Sequence, residues 1–148
     1  MTLSIREAEA TDRQRWAQMR HALWDDWSVS RHLSDIDAML ADGKTTGYLA
    51  IGENDTLIGF AEVSIRDYAN GCTQQPVPFL EGIWIDPDHQ RHGIGRKLIA
   101  HITDRLAAEG YVELCSDILQ TNHASHRAHE NWGFEETERV IYFRKSLS

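Results

Sequence analysis

The sequence predicts an α+β protein in which helices cover both faces of one mixed, largely antiparallel sheet. Apolar residues alternate with a period of two in several short runs and recur with a helical period in others. Two adjacent β-rich runs are separated only by a turn signal, which is typical of a hairpin. The elements follow the order β-α-α-β-β-β-α-β-α-β and form three layers (α/β/α), because each sheet face needs a cover. A purely parallel, doubly wound sheet does not fit a hairpin within this order.

The chain is expected to begin with a strand and a helix. Residues 3–9 alternate as a strand does, and Thr11 and Gln14 then stand at the spacing of a capping box. The apolar residues that follow share one face of the predicted helix: Trp16, Met19 and Leu23.

A second helix and a hairpin come next. Ser34 is the expected cap of the helix, and Gly43 is its expected stop. Its apolar stripe consists of Ile36, Met39 and Leu40. Residues 47–67 form two β-rich runs split by Asn54-Asp55, so this segment is predicted to be a hairpin.

The second half of the chain repeats strands and helices. Residues 79–85 are the most strand-like run, and 93–110 have a helical stripe bounded by glycines. That stripe contains Ile94, Leu98, Ile99, Ile102 and Leu106. Residues 111–119 are predicted to return as a strand, 122–133 as a short helix, and 134–145 as one or two closing strands.

Length and composition indicate one domain, residues 1–148, with 41% hydrophobic residues to build a core. The net charge of -8 disfavours nucleic acid as a partner and favours a cationic ligand. No apolar run approaches the ~20 residues of a membrane span, and no signal peptide is recognisable, so we expect a cytoplasmic protein without a membrane partner. Cys72 and Cys115 lack ligand spacing and are expected to be free, small buried hydrophobes.

Residues 90–97, with the sequence QRHGIGRK, predict an anion site where a loop enters a helix. Backbone N–H groups there lack helical partners, and glycines let a ligand approach closely. The spacing does not match a nucleotide loop of the G-x-x-x-x-G-K-[ST] type, and Leu98 breaks the dinucleotide fingerprint. ATP and NAD are therefore disfavoured. A glycine-rich turn without any ligand remains the alternative.

Gln90, Gly93 and Gly95 resemble the Q/R-x-x-G-x-G/A signature of the GCN5-related N-acetyltransferases, abbreviated GNAT. The order of elements is similar along nearly the whole chain. The resemblance implies a GNAT fold and acetyl-CoA as co-substrate, with its pyrophosphate on the glycine loop and its pantetheine arm along the preceding strand. It implies cofactor contacts at Ile83, Trp84, Ile85, Arg91, His92, Gly93, Ile94, Gly95, Arg96 and Asn122. His129 departs from the family, since many members have a tyrosine there, proposed to protonate the departing thiolate.

Acetyl transfer to an amine requires a proton acceptor, because an amine with a pKa near 10 is almost entirely charged at pH 7. Glu81 interrupts the apolar strand beside the expected path of the thioester, where an acid needs a partner. Asp117 occupies a similar place in the next expected strand, although a strand-end cap would also explain it. We expect Glu81 and Asp117 to be the catalytic proton acceptors.

Four stretches closely resemble the aminoglycoside 6'-N-acetyltransferases: residues 64–72, 78–85, 116–117 and 133–145. This resemblance implies acetylation of the 6'-amino group of polycationic antibiotics, resistance to them, and a homodimer. It also implies substrate contacts at Trp24, Tyr68, Glu81, Asp117 and Glu138, with Trp27 as a weaker candidate.

Two other functions remain open on the sequence. The first is an acetyltransferase of the same fold that acts on another amine, such as a polyamine or a protein amino group. The second is a noncatalytic module that binds acyl-CoA. The histidines at 123, 126 and 129 surround a short helix without an H-E-x-x-H pattern, so no metal is expected.

Overall fold

The structure, a computed structural model, describes residues 2–148. Its strands are β1 (Ser4–Glu7), β2 (Thr45–Ile51), β3 (Leu57–Arg66) and β4 (Val77–Ile85). Its α-helices are α1 (Arg13–Leu23), α2 (Val29–Asp42), α3 (Ile94–Ala108) and α4 (His123–Asn131). Short 3-10 turns occupy Ala10–Asp12, Glu53–Asp55 and Pro87–His89.

The four strands form an antiparallel sheet in the order β1-β2-β3-β4. A single parallel bridge joins Phe79 of β4 to Cys115 and supplies the mixed character of the predicted sheet. The β2–β3 hairpin is confirmed, and Asn54 and Asp55 both have a φ of 56°, the left-handed conformation that these residue types tolerate.

Helices cover both faces of the sheet, as predicted. Successive side chains of a strand point to opposite faces. Leu49 therefore packs against α1 and α2, while its neighbour Tyr48 belongs to the core under α3. Every residue of the predicted α3 stripe is buried in that second core: Ile94, Leu98, Ile99, Ile102 and Leu106.

The starts of both N-terminal helices differ from the prediction. Glu9 and Asp12 form the capping box, in which the Glu9 N–H donates to Asp12 Oδ2 at 2.8 Å, so its assignment to Thr11 and Gln14 was wrong. Ser28, rather than Ser34, caps α2 by accepting a hydrogen bond from the Arg31 N–H.

The face of α2 also differs from its predicted stripe. His32 is completely buried beside Ile36, and it extends the buried face toward the helix start. Because histidine is polar, the apolar pattern of the sequence did not include this turn of α2 in the buried face. Leu40, predicted to belong to the stripe, is instead 41% exposed.

Neither of the predicted C-terminal strand regions forms a strand within the chain. Residues 111–119 make only the bridge at Cys115, and residues 134–148 have no strand assignment. A strand requires a partner for its backbone hydrogen bonds, and alternation in sequence does not provide one. The last segment also exposes large apolar side chains, including Ile141, Tyr142 and Phe143.

Cys72 and Cys115 form a disulfide, with a Cα–Cα distance of 6.4 Å, so the expectation of two free cysteines was wrong. The two are 43 residues apart in sequence. They meet because the bridge at Cys115 holds residues 111–119 against β4, while the loop after β3 returns to the same place. Such bonds are typical of oxidising compartments, and the cytoplasmic location stays a prediction.

None of the helices in residues 2–148 is long and apolar enough to cross a bilayer.

Candidate active site

A β-bulge in β4 places Glu81. Glu62 of β3 pairs with Gly82, but the next β3 residue, Val63, pairs with Leu80, so Glu81 is the extra residue. Bulges bend a strand and redirect a side chain. The bulge thus explains how an acid is accommodated inside an otherwise apolar strand.

The Glu81 carboxylate is held by polar partners from β3. Arg66 donates to it from Nε at 2.9 Å and from Nη2 at 2.7 Å, and the Ser64 hydroxyl donates to Oε2. This bidentate pair raises the pKa of Arg66. Glu81 therefore faces a cation of the protein itself, which the sequence did not indicate.

A cavity of about 170 Å³ opens beside Glu81. It begins where the pairing of β4 with residues 111–119 ends, since the Leu80 N–H donates to the Cys115 carbonyl at 2.7 Å. The end of α1 and the side of α4 complete its walls. The lining residues are Leu23, Trp24, Leu80, Glu81, Gly82, Ile83, Ser116, Asp117, Ser125 and His129.

Ser116 and His129 form a hydrogen-bonded pair in this lining. Ser116 Oγ lies 2.7 Å from His129 Nε2, and His129 Nδ1 lies 2.8 Å from the carbonyl oxygen of Ser125. A carbonyl only accepts hydrogen bonds, so Nδ1 carries a proton. In the neutral ring, Nε2 then accepts the hydrogen bond of the Ser116 hydroxyl.

The glycine loop has the geometry of an anion site. Gly93 stands at the N-cap of α3 with a φ of 72°, and it makes no side-chain cap. Arg91 also adopts a left-handed backbone, with a φ of 69°. A methyl group at Gly93 would meet no atom within 4 Å, which leaves space in front of the helix start. The loop therefore presents amide groups and basic residues to an open surface.

Gly95 serves packing within the protein. A Cβ atom there would lie 2.9 Å from Nε1 of Trp132, so only glycine lets α3 approach the residue that ends α4. The Trp132 ring packs in turn on His129, with ring centroids 5.2 Å apart. This contact connects the start of α3 with the cavity.

Three predicted substrate residues come together in the cavity lining: Trp24, Glu81 and Asp117. The other three lie outside it. Trp27 packs against His32, Tyr68 lies on a separate groove of about 680 Å³ with an exposed fraction of 66%, and Glu138 belongs to the exposed C-terminal segment.

The predicted cofactor residues outside the loop lie on β4 and α4. Ile83 and Ile85 pack on the α3 side of the sheet, and Trp84 packs on the α1 side. Only Ile83 also lines the cavity. Asn122 caps α4, because its Oδ1 accepts a hydrogen bond from the Ser125 N–H at 3.1 Å.

Residues 2–148 contain no group of three His, Cys, Asp or Glu side chains that could hold a metal ion. The absence of a metal from the reaction stays a prediction.

A profile of the Acetyltransferase (GNAT) family matches residues 16–134. The chain belongs to the GNAT acetyltransferase family. A GNAT relative, aminoglycoside N(6')-acetyltransferase type 1 of Stenotrophomonas maltophilia, is 41% identical over 97% of this chain and 94% of its own. The protein of the same name from Salmonella enteritidis is 38% identical over 97% of this chain and 99% of its own.

The GNAT fold is confirmed by a solved structure. AAC(6')-Iy in complex with the bisubstrate analog CoA-S-monomethyl-acetylneamine has a TM-score of 0.91 and 36% identity, covering 99% of this chain and 100% of that one.

Two features of this GNAT site were not predicted from sequence, namely the partners of Glu81 and the hydrogen bond of Ser116. The departure from the family tyrosine at His129 was the one available signal for the latter.

Proposed function

We propose that this protein transfers an acetyl group from acetyl-CoA to the 6'-amino group of aminoglycoside antibiotics and so confers resistance to them. One observation carries the proposal: an acid-lined cavity in a GNAT chain that is similar over nearly its full length to aminoglycoside N(6')-acetyltransferases. The amine attacks the thioester directly, without a covalent enzyme intermediate.

The residues of the glycine loop fit the pyrophosphate of CoA. The first N–H groups of α3 are free of a side-chain cap, and the open space at Gly93 admits a phosphate. Arg91, His92 and Arg96 add positive or donating groups around it. Ile83, Trp84 and Ile85 would line the pantetheine arm, which leads toward the cavity through Ile83. Asn122 would contact the cofactor through its amide nitrogen, since its oxygen caps α4. Bound acetyl-CoA supplies the thioester.

The acceptor side of the cavity fits a cationic amine. Asp117 and Glu81 offer carboxylates, and the Trp24 ring offers an apolar wall for a sugar face. The groove with Tyr68 contains Arg66, whose partner Glu81 lines the cavity. Further rings of an aminoglycoside can extend into that groove, which supports a contact with Tyr68. Trp27 and Glu138 stay proposed contacts on the strength of the sequence resemblance.

Thiol release from acetyl-CoA tests the function against its two rivals. We expect release with kanamycin and little with spermidine or without an acceptor. Turnover with spermidine alone would favour an acetyltransferase for another amine. Tight CoA binding without turnover on either amine would favour a noncatalytic module.

We also propose that the protein forms a homodimer. The support is the set of large apolar side chains exposed in one copy: Val112, Leu119, Val140, Ile141, Tyr142, Phe143 and Leu147. Exposed apolar patches of this kind are typical of protein interfaces. Both strand-like segments without a strand partner, 111–119 and 134–145, contribute to the set.

A further inference from the structure

We propose that Ser116 and His129 form a proton relay between the attacking amine and the leaving thiolate. This inference rests on the proposed acetyl transfer and assigns its proton path. Both side chains line the cavity, and Ser116 immediately precedes Asp117 in the chain. The pair thus lies where acceptor and thioester would meet.

The direction of the hydrogen bonds suits a base at Ser116. The Ser125 carbonyl fixes the proton on Nδ1 of His129, which leaves Nε2 to accept from the Ser116 hydroxyl. The oxygen of Ser116 keeps lone pairs for a proton from the cavity. A donor–acceptor distance of 2.7 Å is within the range for efficient proton transfer.

The environment of Glu81 makes that carboxylate less suited to the same task. It already accepts one hydrogen bond from Ser64 and two from Arg66, so most of its lone pairs are occupied. We therefore assign Glu81 to the attraction and orientation of the substrate ammonium group, and the proton transfer to the Ser116–His129 pair.

The relay balances the reaction of the neutral amine, which forms once the extra proton of the ammonium group has passed to solvent. As the amine nitrogen bonds to the acetyl carbon, its proton passes to Ser116 Oγ, while the hydroxyl proton of Ser116 passes to His129 Nε2. As the carbon–sulfur bond breaks, the imidazolium returns a proton to Ser116, and Ser116 protonates the sulfur. The pair ends as it began, and the products are an amide and a free thiol.

The position of His129 is rigid enough for this role. Its ring packs against Trp132 and Phe134, with centroids 5.2 and 5.1 Å away, and its Nδ1 is held by the backbone one turn earlier in α4. Trp132 is fixed in turn by its contact with Gly95. His129 acts through Ser116 and is a positioning residue in this scheme.

A matched pair of substitutions tests the relay. Ser116→Thr keeps the hydroxyl, whereas Ser116→Val introduces a side chain of the same shape as threonine but without a hydroxyl. Single-turnover acetylation of kanamycin, with enzyme in excess over acetyl-CoA, reports the chemical step free of product release. We expect Ser116→Val to be slower than Ser116→Thr by about 100-fold, the low end for acid–base catalysis, with the same CoA affinity.

His129→Gln tests the second member, because glutamine can accept the Ser116 hydrogen bond but cannot take up its proton. We expect a loss of about 100-fold in the single-turnover rate, and no further loss in the double variant with Ser116→Val. His126→Gln is the control and should match the wild type, because His126 of the same helix pairs with Glu130 and does not line the cavity.

The outcomes separate this proposal from the function on which it rests. A wild-type enzyme that does not acetylate kanamycin would overturn both. A wild-type enzyme that turns over, together with equal rates for Ser116→Thr and Ser116→Val or a His129→Gln rate close to wild type, would overturn the relay alone. Should Ser116→Val fail to bind CoA, the His129→Gln rate decides.

Discussion

Glu62 is a buried acid in the middle of the sheet, with 3% of its surface exposed. The indole N–H of Trp16 donates to its carboxylate at 2.9 Å, and Arg20 Nε lies 3.4 Å from the same oxygen. Burial outweighs these partners and raises the pKa of Glu62 from 4.5 to about 7. The acid faces Gly82 beside the bulge, so its protonation takes place next to the cavity.

This pKa predicts that the protein loses stability as the pH rises. Between the unfolded pKa of 4.5 and the folded pKa of about 7, only the folded chain keeps the proton. The free energy of unfolding should therefore fall by about 2–3 kcal/mol between pH 5 and pH 8 through this group. In urea denaturation, the free energy of unfolding of Glu62→Gln should lack this pH-dependent fall, whereas that of Glu53→Gln, at an exposed position, should keep it. Equal pH slopes for Glu62→Gln and the wild type would contradict the assignment.

Glu81→Gln should impair aminoglycoside use far more than acetyl-CoA binding. The substitution removes a negative charge from the cavity and leaves Arg66, a cation, unpaired near a cationic substrate. We expect kcat/KM for kanamycin to fall about 10–100-fold, on the order of the cost of breaking a partly buried charge pair. The affinity for CoA, measured by calorimetry for the variant and the wild type, is the comparison and should change much less. Equal losses in both measurements would remove Glu81 from the acceptor site.

At the scale of elements, the cap of α2 carries a simple test. Ser28 Oγ accepts the Arg31 N–H at 3.1 Å, and Ser30 lies exposed one residue into the helix. Ser28→Ala should lower the free energy of unfolding by about 1 kcal/mol, because it leaves a helix-end N–H without its cap. Ser30→Ala is the matched control and should be neutral in the same denaturation experiment. A cost at Ser30 equal to that at Ser28 would argue against the cap.

At the scale of the whole molecule, the exposed C-terminal segment provides a test of the proposed homodimer. Ile141 and Phe143 are 81% and 90% exposed in one copy. We expect sedimentation of the wild type to show a dimer and that of the double variant Ile141→Asp/Phe143→Asp to show a monomer, since charges oppose burial at an interface. Leu40→Asp, at a 41% exposed position of α2 outside the set of apolar residues assigned to the dimer, should leave the dimer intact. A monomeric wild type at micromolar concentration would refute the dimer.

The sequence by itself determined the elements whose stability is local. The stripe of α3 and its stop at Gly110, the hairpin turn at Asn54-Asp55 and the cover of both sheet faces all follow from periodicity and turn chemistry. The glycine loop was recognisable for the same reason, since its spacing lies within a few consecutive residues. Trp24, Glu81 and Asp117, which the family resemblance implied as substrate contacts, line one cavity, and their contact with a substrate stays a prediction.

Only the tertiary structure decided which distant groups meet. The bulge that accommodates Glu81, its pairing with Arg66, the disulfide between Cys72 and Cys115, and the hydrogen bond of Ser116 to His129 each join residues far apart in sequence. The predicted strands at 111–119 and 134–145 failed for the same reason. A side-chain pattern specifies the preference of a segment, but hydrogen-bond partners come from chain packing, which no local spacing records.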